Sequence, residues 1–378
     1  MEVPFIDLRP THLLLLEDLE REIRSIFQTS HFVMGPRVRK LEELLAQYLG
    51  VKHAIGVASG SDALLLALMA LEIGEGDEVI TTPFTFFSTV SAIIRVGGRP
   101  VFVDIDPETF NLNVELIPKL ITERTRVIIP VHLFGLPCEM ERIMEISKEA
   151  KLKVVEDAAQ ALGAYCFIGE ERKKAGSIGH LGCFSFYPTK NLGGAGDGGL
   201  VVTDSDELAE KIKLLRSHGA RDKYLHELIG INSRLDEIQA AVLLVKLPYL
   251  DQWNEERRRK AEYYHSLFQE YEGEKLGIKL PPLRKGHVFH QYVIRTPKRD
   301  ELRKYLAQKG IGTEVYYPLP LHLQPSLKFL GYRKGDFPET ERASQEVLAL
   351  PIYPELSPQA QRYVVQEIVS FLRESTSL

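Results

Sequence analysis

From Ala54 onward the apolar positions fall into short β-branched runs that alternate with stretches of helical spacing. AIGVA precedes a helix expected over Ser61 to Glu72, EVITT one over Phe84 to Val96, and PVFVDI one around Val114 to Ile121. RVIIPVHL leads to Met140 to Ala150, and KVVED closes the series. A repeated strand–helix order requires crossover connections, which predicts a mostly parallel sheet with helices on both faces. Ahead of this region VPFIDLRP is extended, Thr11 to Phe27 has helical spacing, and Arg37 to Leu49 is a helix closed by Gly50 after a turn at Met34-Gly35-Pro36.

Beyond KVVED, an alternating strand (Cys183 to Tyr187) breaks at Pro188, and a glycine cluster leads into a strand over Leu200 to Thr203. Helices follow at Asp206 to His218 and Leu235 to Leu247, the second broken by Pro248. A long charged helix, Asp251 to Tyr271, opens a smaller α+β part with a strand (Val288 to Arg295), a helix (Arg299 to Lys309) and the strand TEVYY. Helices around Thr340 to Leu348 and Pro358 to Arg373 complete it. The expected division is a large domain over 1–248 and a small C-terminal domain over 249–378, with the N-terminal helix packing on the small domain. No internal repeat or low-complexity segment is present.

Composition narrows the class. The 378 residues are 44% hydrophobic and 26% charged, an ordinary globular balance. The net charge of −5 carries no basic block, so neither nucleic acid nor an anionic membrane is expected as a partner. Three scattered cysteines (Cys138, Cys166, Cys183) and a start unlike a signal peptide point to the cytoplasm. The longest apolar run near the start, Leu13 to Leu16, meets Glu17 and Asp18, far short of a membrane span.

Two residues organise the candidate chemistry. Asp157 ends the strand KVVED, and Lys190 lies just past the strand that ends at Tyr187. Strand ends at one edge of an α/β sheet are neighbours, and an amine with an acid is the pair that pyridoxal phosphate requires. An acid after Val154-Val155 is costly inside unless paired. Beside a pyridine nitrogen it would keep that nitrogen protonated. Each residue alone also has a plain explanation, Asp157 as a helix cap and Lys190 as an exposed loop lysine. Ser59-Gly60-Ser61-Asp62 opens a helix and offers N–H groups to a phosphate, or simply caps that helix. Ser185, five residues before Lys190, could hold the same phosphate. Phe84-Thr85-Phe86-Phe87 supplies an aromatic that could stack on a planar ring or pack in the core.

Other patterns are set aside. Gly194, Gly196 and Gly199 match G-x-G-x-x-G by letter but enter a strand instead of leaving one, so they are no dinucleotide loop. His287 and His290 lie three apart on an expected strand, hence on opposite faces, and no metal site is expected. Asn232-Ser233-Arg234 opens a helix and can reach an anion, while TEVYYPLPLHLQP places Tyr316, Tyr317 and His322 on a proline-ordered loop suited to a polar substrate or to the rim of an apolar patch.

The combination VPFIDL, SGSDALLLAL, GDEVITTPFTF, PVFVDIDPETFNL, IIPVHLFG, VVEDAAQALGA, FSFYPTKNLGGAGDGG and GINSRLDEIQAAVL resembles the DegT/DnrJ/EryC1/StrS family of nucleotide-sugar aminotransferases. The likeness spans nearly the whole chain and is densest from Gly56 to Val242. It implies the type I, aspartate-aminotransferase-like fold and pyridoxal 5'-phosphate as cofactor. Lys190 then looks like the Schiff-base lysine, Asp157 the partner of the ring nitrogen, Gln160 a neighbour of the phenolic oxygen and Phe86 the stacking aromatic. Gly60, Ser61 and Ser185 match phosphate-binding positions. Asn232 matches the asparagine that reaches the neighbouring subunit's cofactor, implying a homodimer with shared active sites. Tyr187, Tyr317 and His322 fall where substrate contacts cluster. Many members have histidine after D-A-A-Q-A, where this chain has Leu162. The implied reaction moves an amino group from a donor, expected to be L-glutamate, to a nucleotide-linked keto-sugar, with Lys190 carrying the proton. The VPFIDL opening and the YYPLPLHLQ loop look closest to members that aminate a 3-keto sugar. A 4-keto-sugar or inositol-type aminotransferase, a dehydratase of the family, and a regulatory binding protein on the same fold are the alternatives. Dehydratases replace the lysine with histidine, which Lys190 speaks against.

Overall fold

The computed structural model describes residues 1–376. Seven strands form the central sheet: β1 (His53–Val57), β2 (Glu78–Thr81), β3 (Arg99–Phe102), β4 (Thr125–Ile128), β5 (Lys153–Asp157), β6 (Leu181–Ser185) and β7 (Gly199–Thr203). Their spatial order is β1-β7-β6-β5-β4-β2-β3. Five neighbouring strands, from β3 to β6, pair in parallel, while β7 runs against both β6 and β1. The parallel pairs match the expected strand–helix order.

Alternation along the strands explains why both faces are covered. Val79, Val127, Val155, Leu181 and Val201 join the helices Gly60–Ala70 and Asp206–Leu215 on one side. Their neighbours Ile80, Ile128 and Val154 face the helix Met140–Glu149, and Phe184, Leu200 and Val202 face Pro36–Leu49 and Glu237–Lys246. Strands buried on both faces need apolar residues at every position, which is why these segments read as runs.

The helix Leu250–Glu270 joins two cores. Its first residue, Leu250, packs in the sheet domain, whereas Ala261, Tyr264, Leu267 and Phe268 belong to a second core with Leu302, Val365 and Ile368. The extended start of the chain belongs to that second core: Val3 N–H donates to the Gly310 carbonyl at 2.8 Å and Val3 O accepts from Gly312 N–H at 2.9 Å. Of the N-terminal helical segments, Arg9–Leu14 touches the small domain, with Thr11 donating to Glu355 at 2.6 Å, whereas Leu16–Thr29 lies along Glu237–Lys246. The expected single helix is also interrupted, with Arg9–Leu14 and Leu16–Thr29 meeting at Leu15.

The small lobe corrects three further expectations. TEVYY is no strand but a single bridge in which Glu314 and Ala349 exchange N–H···O bonds, and the prolines that follow, Pro318 and Pro320, have no N–H to prolong it. The helix expected to reach Leu348 stops at Glu346, and Val347–Leu350 pairs with Tyr292–Arg295. Pro351 follows, and a residue before proline favours extended backbone. Finally, the strand expected from Val288 starts only at Tyr292, after Phe289 at φ 42°. His287 and His290 are therefore not on opposite faces of a strand; both are buried, His287 stacked on Phe289 and His290 bonded to Asn191.

Candidate active site

The C-terminal ends of β5 and β6 lie side by side in the sheet, with Asp157 paired to Cys183 in register. Asp157 is buried, 6% exposed. One carboxylate oxygen accepts from Thr89 Oγ1 at 2.7 Å and the other from the Ala159 N–H at 3.2 Å. Burial pushes its pKa upward, opposed by these two bonds and by the charges of Lys190 and His132. Lys190 is pressed the other way: burial lowers its pKa to about 8, and the negative charge of Asp157 holds it up. Each group thus lies within electrostatic reach of the other in a place where water contributes little.

Beside this pair a helix start forms a glycine-lined cradle. Gly60 begins the helix Gly60–Ala70, whose N-cap Ser59 accepts from the Asp62 N–H at 3.1 Å. The first N–H groups of a helix have no partner within it, so Gly60 and Ser61 are placed to bind an anion. Two close approaches shape the cradle. A Cβ on Gly60 would stand 2.7 Å from Ser185 Cβ, and one on Gly199 would stand 2.3 Å from the Ser59 carbonyl oxygen. The glycine cluster therefore serves backbone-to-backbone packing as well as the turn beside Lys190. Ser61 Oγ and Ser88 Oγ share a bond of 2.6 Å.

Gln160 and Tyr317 meet on another side. Gln160 Oε1 accepts from the Phe134 N–H at 2.7 Å, and its amide donates to the Tyr317 hydroxyl at 3.2 Å. Burial raises the Tyr317 pKa strongly. Phe86, the N-cap residue of Phe87–Arg95, presents a ring 59% exposed, and Tyr187 is 53% exposed. Such large rings left open at a strand edge are ready to cover a planar ligand. Asn232 is exposed, while the next residue, buried Ser233, accepts from the Ala58 N–H at 3.1 Å and so steadies the approach to Gly60. His322 follows Leu321, whose N–H donates to the Pro83 carbonyl at 2.9 Å. The His322 side chain is buried, bonded to Glu341 at 3.1 Å and packed on Phe337.

Three supports are not among the residues that the sequence singles out. Thr89 holds Asp157. Glu156, buried beside it, accepts from the N–H groups of Gly176 (2.7 Å), Ile178 (2.7 Å) and Gly179 (2.5 Å) and from His132 Nε2 (2.8 Å). Asn191 bonds Asn254 at 2.7 Å and His290 at 3.0 Å, fixing the residue next to Lys190. Only spacing hinted at Thr89, which follows Thr85 by one helical turn; the others depend on contacts far apart in the chain.

A profile of the DegT/DnrJ/EryC1/StrS aminotransferase family matches residues 15–369. The chain belongs to that family. Among its relatives, a Geobacillus stearothermophilus protein named "Pleiotropic regulatory protein" is 49% identical over 99% of both chains. The UDP-N-acetyl-3-dehydro-alpha-D-glucosamine 3-aminotransferase of Acidithiobacillus ferrooxidans is 43% identical over 94% of each. The crystal structure of Streptomyces venezuelae DesV, solved with a ketimine intermediate, superposes with a TM-score of 0.93 at 40% identity, covering 98% of each chain. Similar solved structures carry pyridoxal or pyridoxamine phosphate, and the fold is the type I aminotransferase fold. The protein is therefore a pyridoxal-phosphate-dependent aminotransferase. Its own residues fit the cofactor: a buried carboxylate whose burial favours a cationic neighbour, a lysine of lowered pKa, and a glycine-lined helix start. Among the described residues no cluster of three or more His, Cys, Asp or Glu side chains could hold a metal ion, and no helix is long and apolar enough to cross a membrane.

Proposed function

We propose that this aminotransferase moves the amino group of L-glutamate to a nucleotide-linked 3-keto sugar, as a cytoplasmic homodimer with shared active sites. The observation that carries the proposal is the mutual placement of Lys190 and Asp157, both buried and each shifting the other's pKa. The Acidithiobacillus relative, named for a 3-dehydro UDP-sugar, supports the substrate class. Three free cysteines suit a reducing compartment.

When bound, pyridoxal phosphate supplies an electron-withdrawing ring that stabilises negative charge on the reacting carbon. Asp157, oriented by Thr89 and Ala159, holds positive charge at the ring nitrogen. The phosphate falls to Gly60, Ser61 and Ser185, the ring face to Phe86, and the phenolic oxygen to Gln160. Lys190, once its amine is free, takes a proton from one carbon and returns it to another; a pKa of about 8 leaves a useful neutral fraction near neutral pH. Tyr187 and Tyr317 line the side from which a sugar would enter. His322, held by Glu341, positions their loop instead of touching the sugar.

The proposal of sharing rests on Asn232, exposed in the single chain, and on apolar residues left open along the N-terminal helices, among them Leu13, Leu14 and Phe27. Mixed dimers of Lys190→Ala and Asn232→Ala chains test it, because one site per dimer would regain both groups. If each single variant is inactive and the mixture recovers nothing, sharing is wrong. A panel of nucleotide-linked 3-keto and 4-keto sugars with glutamate tests the substrate, and turnover only of 4-keto compounds would replace the 3-keto assignment. A regulatory role is the second reading, favoured by the name of the Geobacillus relative. It predicts a cofactor-loaded protein that releases no 2-oxoglutarate with any sugar of the panel.

A further inference from the structure

Behind the Lys190 loop lies a cleft of about 1050 Å³ that the site above does not use. One wall is the hairpin Tyr165–Ile168/Glu171–Lys174. Its register sets Tyr165 opposite Lys174 and Phe167 opposite Arg172. Cross-strand partners share a face and residues two apart share a face, so all four side chains point the same way. On the reverse face Cys166 and Ile168 pack against the core. The pattern YCFIGEERKK thus builds one apolar face for the core and one face of two aromatics and two cations for the cleft.

The facing wall is the segment Leu283–Phe289, which adds Arg284 and Lys285. The walls are joined where the Tyr165 N–H donates to the Gly286 carbonyl at 3.2 Å, an approach that excludes a side chain, since a Cβ on Gly286 would lie 1.8 Å from the Tyr165 carbonyl oxygen. The cleft also holds three carboxylates, each with a partner of its own. Asp251 accepts from the Tyr48 hydroxyl at 2.5 Å, and Glu255 and Glu262 are both held by Arg258. Arg172 lies over the Tyr165 ring (3.7 Å to its centroid) and Lys174 over the Tyr48 ring (2.9 Å). No ion pair to a carboxylate is formed by Arg172, Lys174, Arg284 or Lys285 among the described residues. With Arg258 the lining carries five cations against three carboxylates, a net charge of +2 in a chain of net charge −5, so positive potential collects where an anion can enter. Phe167, 48% exposed on the same face, offers a flat surface to a ring.

We infer that this cleft is a second ligand site that takes a nucleoside phosphate, its phosphates held by Arg172, Lys174, Arg284 and Lys285 and its base laid on Phe167. The site is separate from the amino-transfer pocket. Lys190 does not line it, and the Asn254–Asn191 bond stands between the two.

The test is isothermal titration of the cofactor-loaded protein with UDP, ADP and GDP as probes. Removing one charge-assisted hydrogen bond to a phosphate should weaken binding about tenfold. Arg172→Ala and Lys285→Ala, on separate and exposed segments, should therefore each weaken binding of at least one probe about tenfold. Added salt should weaken parental binding as well. Uridine, adenosine and guanosine, lacking phosphate, should bind far more weakly. Tyr187→Ala and Asn232→Ala act on the amino-transfer pocket, which under the proposed function takes the nucleotide of its own substrate, and should leave in place the separate binding event that the cleft variants weaken. The inference is overturned if none of the three probes binds, if Arg172→Ala and Lys285→Ala bind them as the parent does, or if the pocket variants abolish every nucleotide-binding event, leaving none for the cleft. Equal weakening of inorganic phosphate and nucleotide, with no gain from the base, would reduce the site to an adventitious ion only.

Discussion

Replacing Glu156 by glutamine keeps the side-chain volume but puts an amide nitrogen where every neighbour is a hydrogen-bond donor. The carboxylate accepts four bonds, from Ile178 and Gly179 on one oxygen and from Gly176 and His132 on the other. His132 cannot turn acceptor on that side. Its Nδ1 accepts from the Cys138 N–H at 3.1 Å, so the proton sits on Nε2 and points at Glu156. Whichever way the amide is turned, its NH2 faces two N–H groups. Two charge-assisted bonds disappear, each worth about 1.5–3 kcal/mol, giving an expected destabilisation of about 3–6 kcal/mol. Cofactor-free parent and variant should be compared by equilibrium urea unfolding, followed by circular dichroism and by fluorescence of Trp253, the only tryptophan. A variant within about 1 kcal/mol of the parent would refute the argument, since that is less than one buried bond of this kind.

Gly199→Ala forces a Cβ to within 2.3 Å of the Ser59 carbonyl oxygen, so backbone must move; a loss of about 1–3 kcal/mol and weaker pyridoxal phosphate binding are expected, and unchanged melting and affinity would show that the cradle yields freely. Uptake of pyridoxal phosphate by the cofactor-free protein should accelerate with pH around a midpoint near 8, set by burial of Lys190. Asp157→Asn removes the charge that holds this pKa up, so the midpoint should move to lower pH; a midpoint that stays put or rises contradicts the coupling. Stability carries the matching sign. A lysine depressed from 10.5 to about 8 on folding penalises the charged form, so its contribution improves as pH rises through that interval. Leu14→Glu with Phe27→Glu should shift sedimentation equilibrium from dimer toward monomer, and a parent already monomeric at micromolar concentration would remove the basis for shared sites.

The large lobe was legible because each parallel strand is buried on both faces and therefore reads as an uninterrupted apolar run, with a helix after it. The small lobe was less so. Val347–Leu350 follows a helix directly and becomes a strand through pairing with Tyr292–Arg295, a partner more than fifty residues away. TEVYY has the composition of a strand but loses its ladder to the prolines that follow. Within the site, residues acting through type and local position, Lys190, Asp157 and Gly60, were visible. Thr89, Glu156, Asn191 and His290 act through contacts that only the folded chain creates. At His322 the sequence shows a polar residue on an aromatic loop, whereas its partners Glu341 and Phe337 emerge only in the fold.

The reversed direction of β7 has a consequence for motion. Because β6 and β7 are antiparallel neighbours, the chain that carries Lys190 leaves and re-enters the sheet through adjacent slots. The loop is tied at its base, with the Phe186 N–H on the Gly198 carbonyl and the Gly194 N–H on the Phe186 carbonyl, both at 2.8 Å, and the Lys190 N–H closes an inner turn onto Tyr187 at 2.8 Å. A segment laced this way opens only when the strand pair opens. Its amides should exchange with deuterium on the slow timescale of the sheet, while other exposed loops, such as the tip at Tyr224, exchange early. The entropy of positioning the lysine is then spent during folding, and ligand capture need not supply it again.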